Sequence, residues 1–188
     1  MIITLSGASG TGKTAITGAL MKRLPNAGPV LSVTTRDPRP TDHPGDYQYV
    51  TQDAFQAMEA SGRFLWTAGV GATRYGTPRD ILQAALDQPE AHGIMILVPE
   101  RVVDLRAFAA ENDRLDDVRS FYILSPDESI LRTRMSGRGD AEEKIEERIR
   151  ECRDFEARAK TLDVPFIWIE DRNDMEEKIR TVIAALRT

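Results

Sequence analysis

The chain has 188 residues, 41% hydrophobic and 29% charged, with 25 Lys and Arg against 30 Asp and Glu for a formal net charge of -5. That length and apolar fraction suit a single α/β domain with its own core and inserted subdomains, and argue against disorder. The acidic balance excludes a broad basic surface for duplex nucleic acid, and one cysteine (Cys152) with two histidines (His43, His92) excludes an intramolecular disulfide, a cysteine metal cluster and a His-rich metal site.

Met1 to Leu5 is an apolar run that enters Ser6-Gly7-Ala8-Ser9-Gly10-Thr11-Gly12-Lys13-Thr14. Gly7 to Thr14 matches G-x-x-x-x-G-K-[ST], with a predicted strand before it and a predicted helix after it, the context this motif requires. Gly7, Gly10 and Gly12 supply backbone angles closed to other residues, so the main chain of Gly7, Ala8, Ser9, Gly10, Thr11 and Gly12 can turn its N–H groups toward a phosphate at the start of the next helix. Lys13 then reaches the outer phosphates, and the Thr14 hydroxyl suits Mg²⁺, a hard cation that takes few protein oxygens. The motif assigns a nucleotide polyphosphate to residues 7–14 but leaves hydrolase, switch and kinase open.

Ala15 to Leu24 has helical spacing and stops at Pro25 to Pro29; Val30 to Val33 reads as a short second strand. Thr34 to Tyr47 is polar and proline-rich, an extended loop with no core character. Tyr47 to Val50 alternates as a strand, Gln52 to Ser61 is an amphipathic helix, and Phe64 to Trp66 is another short strand, so residues 36 to 85 read as a small inserted unit. The parallel rhythm resumes with a helix at Pro78 to Leu86, a strand at Gly93 to Val98, a helix at Glu100 to Glu111 and a strand at Arg119 to Leu124. Ser125, Pro126 and Glu128 predict a helix start with Ser125 as N-cap, and the helix should break at Gly137-Arg138-Gly139. Asp140 to Lys160 is a long helix whose acidic start reads as a solvated face, with Cys152 partly exposed; Val164 to Ile169 is the last strand and Asn173 to Leu186 the last helix. About five strands with intervening helices give an α/β fold, a five-stranded parallel sheet flanked by helices. The amino terminus shows no basic n-region or cleavage site and no run approaches the roughly 18 apolar residues of a membrane span, so no membrane association and a cytoplasmic setting are expected.

Two arginine sets accompany the phosphate loop. Arg36 and Arg39, with Tyr47 and the later Arg74-Tyr75-Gly76-Thr77, offer cations and hydroxyls for a second phosphate; Arg134, Arg138 and Arg148 surround the Gly-x-Gly break, where a lid over the donor would hinge.

Residues 6–14, Ser32-Val33-Thr34-Thr35-Arg36-Asp37-Pro38-Arg39-Pro40, Gly45 to Val50, Tyr75-Gly76-Thr77 and Arg134 to Gly139 follow one another in an order that resembles the guanylate kinase family over essentially the whole chain. The resemblance implies a P-loop nucleoside monophosphate kinase with a core (1–35, 86–137, 161–188), an acceptor-binding insertion (36–85) and a lid (138–160). It implies ATP as donor at residues 7–14, Mg²⁺ at Thr14, and Lys13, Arg134, Arg138 and Arg148 as catalytic groups. Ser32, Arg36, Arg39, Tyr47, Tyr75 and Thr77 would hold the acceptor, GMP or dGMP. Partners would be small-molecule nucleotides rather than nucleic acid, and the chain a monomer or homodimer. Three positions depart from the family pattern: Trp66 stands where a glutamate reads guanine, Val98-Pro99-Glu100 where a D-x-D pair is found, leaving Glu100 as the remaining acid, and Glu170-Asp171 where Asn-Asp lies near the donor adenine. Another phosphorylated acceptor, such as a different nucleotide or a ribose phosphate, and a catalytically silent binding module are the competing readings.

Overall fold

The computed structural model describes the chain except residues 9, 40, 41, 43, 44, 89, 138, 172, 173, 187 and 188 and the side chains at 70 and 134. Ser9 and Arg138 therefore lie outside the described residues, and Arg134 is described by its backbone alone. Its elements in order are β1 (Ile2–Ser6), α1 (Lys13–Arg23), β2 (Ala27–Pro29), β3 (Ser32–Thr34), β4 (Tyr47–Tyr49), α2 (Gln52–Ala60), β5 (Phe64–Val70), β6 (Thr73–Pro78), α3 (Arg79–Leu86), β7 (His92–Ile96), α4 (Pro99–Glu111), β8 (Val118–Ile123), α5 (Glu128–Ser136), α6 (Glu142–Thr161), β9 (Ile167–Ile169) and α7 (Met175–Ala185).

Five strands form one sheet in the order β2-β7-β1-β8-β9, with β2 parallel to β7 and β8 parallel to β9. β1 lies at its centre and every one of its residues is buried, which is why its sequence reads as a continuous apolar run rather than an alternation. Four further strands form a second sheet in the order β4-β3-β6-β5. By contacts the chain falls into two compact units, Met1–Ile3, Leu24–Met95 and Asp104–Val118 in one, and Thr4–Arg23, Ile96–Val103 and Arg119–Thr188 in the other. Among the described residues no helix is long and apolar enough to cross a membrane.

In the first unit, the strand expected at Val30 to Val33 is two strands in two sheets. The Val30 N–H still donates to Ile94 O at 3.1 Å, and the Ser32 N–H already donates to Asp46 O at 3.1 Å, so the chain changes sheets at Leu31. Pro29 is tolerated because β2 is an edge strand, where a missing donor leaves no ladder bond unmade. β5 continues to Val70, beyond the expected end at Trp66, because it pairs along its length with β6, which the sequence did not announce. One core of this unit is Val33, Phe55 and Phe64, with Phe55 and Phe64 stacked at 4.6 Å between centroids. The Phe64 ring lies over Gly76, where a Cβ would sit 2.7 Å from the ring carbons, so only glycine fits there.

In the second unit, Val102, Tyr122, Ala159 and Phe166 form a buried cluster. Ile145, Ile149, Cys152 and Ala159 are the buried residues of α6, a stripe at helical spacing that turns one side of this charged helix inward. Each buried isoleucine contributes about 1.5–3 kcal/mol. Cys152 is thus buried rather than partly exposed. Helix α5 starts later than expected, with Asp127 as N-cap accepting the Ile130 and Leu131 N–H groups at 2.9 Å, while Ser125 and Pro126 line a cavity instead.

Candidate active site

In the second unit the loop between β1 and α1 has the geometry its glycines predict. Gly7, Gly10 and Gly12 have φ of 142°, 86° and 93°. At Gly7 a Cβ would come within 2.4 Å of the backbone Ile123 O, so that glycine is required by space as well as by angle, whereas at Gly12 the nearest atom is the movable Met175 methyl at 2.7 Å and the angle alone makes the demand. The buried Thr11 hydroxyl donates to Ala8 O at 2.9 Å and braces the turn from within. Helix α1 begins at Lys13, so its unsatisfied N–H groups and positive dipole end open onto the loop. Thr14, in the first turn, is exposed.

The Lys13 ammonium donates to Gly7 O at 2.8 Å and Ala8 O at 2.7 Å. Burial, and then the positive charge of Arg148, lower its pKa from 10.5 to about 8. A cavity of about 430 Å³ adjoins the loop, lined by Gly10, Thr11, Ser125, Lys144, Arg148 and Cys152 among others. Arg148 also lines a second cavity of about 730 Å³ with Gly7 and Ala8. Of the three arginines expected around the donor, Arg148 is the one whose side chain the structure describes there. It also brings in side chains whose sequence reads as a solvated face. Asp140, just before α6, and Lys144 and Glu147 line the cavity instead of facing solvent alone; the spacing of Lys144, Glu147, Arg148 and Glu151 marks one face of α6. Ser125 follows the carboxyl end of β8, where open α/β sheets place ligands.

In the first unit, the register of the four-stranded sheet sorts the acceptor candidates by face. Ser32 lies opposite Tyr47 and Thr34 opposite Tyr49 across the parallel pair, while Thr34 also lies opposite Tyr75. Tyr75 pairs with Ala68, and Trp66 with Thr77 across a register shift between Phe64 and Trp66. Directly opposed residues share a face, so Ser32, Tyr47, Tyr49, Trp66, Tyr75 and Thr77 stand on one side, away from Val33, Phe55 and Phe64. The irregularity is what separates Phe64 from Trp66; two residues apart in a regular strand, they would point the same way. Trp66 is buried, 8% exposed, beside the still more buried Thr77, but not in the Phe55 and Phe64 cluster. Arg74 points to the other face: its guanidinium donates to Glu59 at 2.6 Å and lies 5.2 Å from the Phe55 ring centre, so it leaves the phosphate set proposed for it.

Arg36 is the centre of this face. Its guanidinium carbon sits 4.7 Å from the Tyr47 ring centre and 5.8 Å from that of Tyr49, and the Tyr75 ring meets the Tyr47 ring edge-on at 6.2 Å between centroids. Asp42 takes a two-pronged bond from it, Nη1 to Oδ2 at 2.8 Å and Nη2 to Oδ1 at 2.7 Å. The Arg36 fork, followed by the Tyr49 hydroxyl, holds the Asp42 carboxyl well below the usual carboxylate range. Arg39 is exposed, and its backbone N–H donates to Asp42 at 2.7 Å. Glu100 belongs to the other unit, in the first turn of α4, with its carboxylate 3.9 Å from Arg158.

Each half is thus a device for holding an oxyanion, built from backbone amides and an ammonium in one unit and from a guanidinium ringed by phenols in the other. The family model described as guanylate kinase matches residues 1–188. Among curated proteins, the guanylate kinase of Granulibacter bethesdensis is 33% identical over 191 residues, covering 100% of this chain and 85% of the relative, and that of Thiobacillus denitrificans is 34% identical over 190 residues, covering 100% and 86%. A crystal structure of guanylate kinase from Anaplasma phagocytophilum superimposes with a TM-score of 0.68 at 22% identity, over 100% of this chain and 84% of that one, a likeness of fold. The chain belongs to the guanylate kinase family.

Proposed function

We propose that this chain transfers the γ-phosphoryl group of ATP to the phosphate of a nucleoside 5'-monophosphate, GMP or dGMP, giving the diphosphate and ADP. The observation that carries this is the Arg36 guanidinium, set over the Tyr47 ring beside Tyr75 and already gripping a carboxylate with both prongs, a second oxyanion site in a chain that already has a phosphate loop. A hydrolase or switch needs only the loop; a transfer to phosphate needs both. The names of the curated relatives support the same acceptor.

In this mechanism the loop amides and Lys13 grip the donor phosphates, Arg36, Arg39, Tyr47 and Tyr75 hold the acceptor phosphate, and Arg148 meets the charge that spreads over the transferred group. A phosphate oxygen of the acceptor attacks the γ phosphorus as its bond to the bridging oxygen breaks, so no covalent enzyme intermediate and no protein base are required. The exposed Thr14 hydroxyl, in the first turn of the helix that follows the loop, fits Mg²⁺. Bound there, Mg²⁺ would neutralise phosphate charge. Arg134 and Arg138 belong to this proposal as lid groups by resemblance alone, as do the core, insertion and lid boundaries.

Base recognition departs from the guanine pattern. No strand of the four-stranded sheet contains an Asp or Glu, and Trp66, beside Thr77, has a donor and no acceptor. Guanine presents two adjacent donor groups, and a buried donor left without an acceptor costs about 1–3 kcal/mol. This favours a broadened acceptor range as the second reading. A coupled assay of ADP release with GMP, dGMP, AMP, UMP, CMP, TMP and ribose phosphates tests both: phosphorylation of GMP is expected, with its preference over AMP held within about tenfold, and no turnover on any acceptor sinks the kinase reading. Trp66→Glu should raise the GMP to AMP ratio of kcat/KM by about ten- to a hundredfold; an unchanged ratio removes Trp66 from base selection.

A further inference from the structure

We infer that Asp42 is an internal stand-in for the acceptor's phosphate: its carboxylate occupies the Arg36 clamp, and an incoming phosphate monoester binds by displacing it. The inference rests on reading this face as the acceptor site. The donors gathered on Asp42 are those a phosphate would use. They are the two parallel N–H groups of the Arg36 fork at 2.8 and 2.7 Å, the Tyr49 hydroxyl at 2.7 Å and the Arg39 backbone N–H at 2.7 Å. A carboxylate and a phosphate present nearly the same edge to a guanidinium, which is why both are bound in this two-pronged way. Arg36 has little left to offer on that edge, since its Nη1 also donates to Asp37 O at 2.9 Å. Arg36 is 9% and Asp42 14% exposed, so solvent screens this pair less than it screens the ion pairs joining α5 and α6.

A phosphate dianion carries one more charge and one more oxygen than a carboxylate and so outcompetes it, but the exchange subtracts the Asp42 interaction from every binding event. Asp42 therefore sets how tightly the acceptor is held, and selects against monoanionic ligands that could not dislodge it. A carboxylate that merely oriented Arg36 would have the opposite effect on affinity when removed, so the sign of the change decides between the two.

The test is titration calorimetry of GMP and of ribose 5-phosphate, which has the phosphate without a base, on the full chain and on Asp42→Asn, Asp42→Ala and Arg36→Ala, with acceptor and ATP KM values alongside. Both Asp42 variants are expected to bind both ligands about tenfold more tightly, a factor typical of one charge-assisted contact, with the gain in acceptor KM and none in ATP KM. Weaker or unchanged binding of both ligands overturns the stand-in and makes Asp42 a positioning residue; tightening of GMP alone overturns it too, because the effect would then lie at the base. If Arg36→Ala leaves ribose 5-phosphate binding intact, the acceptor reading of this face fails as well, an outcome distinct from failure of the stand-in. Asp42→Asn is nearly isosteric, so its melting temperature separates a folding defect from a change in affinity.

Discussion

Replacing Lys13 by Ala is expected to lower kcat/KM for ATP by about a thousandfold or more, the scale of losing a charged group aimed at the reacting phosphates. The ammonium is held over the loop by Gly7 O and Ala8 O, at the mouth of a helix whose dipole already favours anions. When phosphate oxygens arrive they are stronger acceptors than these two carbonyls, and the same reach that satisfies Lys13 on the loop delivers it to them. Its lowered pKa adds a second, independent expectation. In the free enzyme Lys13 begins to lose its proton near pH 8, and the neutral amine has no charge to offer, so kcat/KM for ATP should fall as pH rises through about 8. The limb on kcat should lie higher, because bound polyphosphate favours the charged form and raises the pKa in the complex. Stopped assays from pH 6 to 10 read both limbs. A Lys13→Ala enzyme with undiminished turnover would sink the mechanism, and a basic limb common to both parameters would sink the assignment to Lys13.

What could be read in the sequence and what could not follow from a physical difference between local and nonlocal determinants. The phosphate loop was legible because its constraints are local: three glycines forced into positive φ, a fully buried strand before them and a helix start after them. The α2 helix and the strand into it were legible for the same reason. β6 was not, because Thr-Arg-Tyr-Gly-Thr-Pro holds a glycine and a proline and reads as a turn; the glycine is there to admit the Phe64 ring, and the proline ends the strand at the start of α3. Without β6, adjacent residues Arg74 and Tyr75 seemed to belong to one cluster. Once paired they face opposite ways, and only Tyr75 reaches the Tyr47 ring over which Arg36 lies. Trp66 turns on a still finer feature, a register shift in one strand, and Asp42 lay unnoticed in a polar loop because nothing in its neighbours' identities says where its carboxylate points. The composition of the clamp was therefore readable, its geometry was not, and its internal occupant emerged from geometry alone.

Arg148→Ala is expected to lower kcat by about a hundred- to a thousandfold with a smaller change in KM for ATP, since an arginine acting on the transferred phosphoryl group works on the transition state more than on the bound substrate. The residue is placed for this by the helix around it. Ile145, Ile149 and Cys152 anchor the buried stripe of α6, so Arg148, one position before Ile149, is held at the wall shared by the two cavities beside the loop. Its Nη1 is braced by Glu151 one turn on, at 2.8 Å, which fixes the plane of the guanidinium. Lysine at this position should recover only part of the loss, because a point charge cannot reproduce a planar fork. The two cations are also linked through Lys13. Arg148 is the second cause, after burial, of its lowered pKa, so removing Arg148 lets Lys13 keep its proton to higher pH, and the basic limb of kcat/KM for ATP should move upward from about 8 in the Arg148→Ala enzyme. A packing role for Arg148 would lower activity without moving that limb. A variant with normal kcat would place the charge compensation elsewhere.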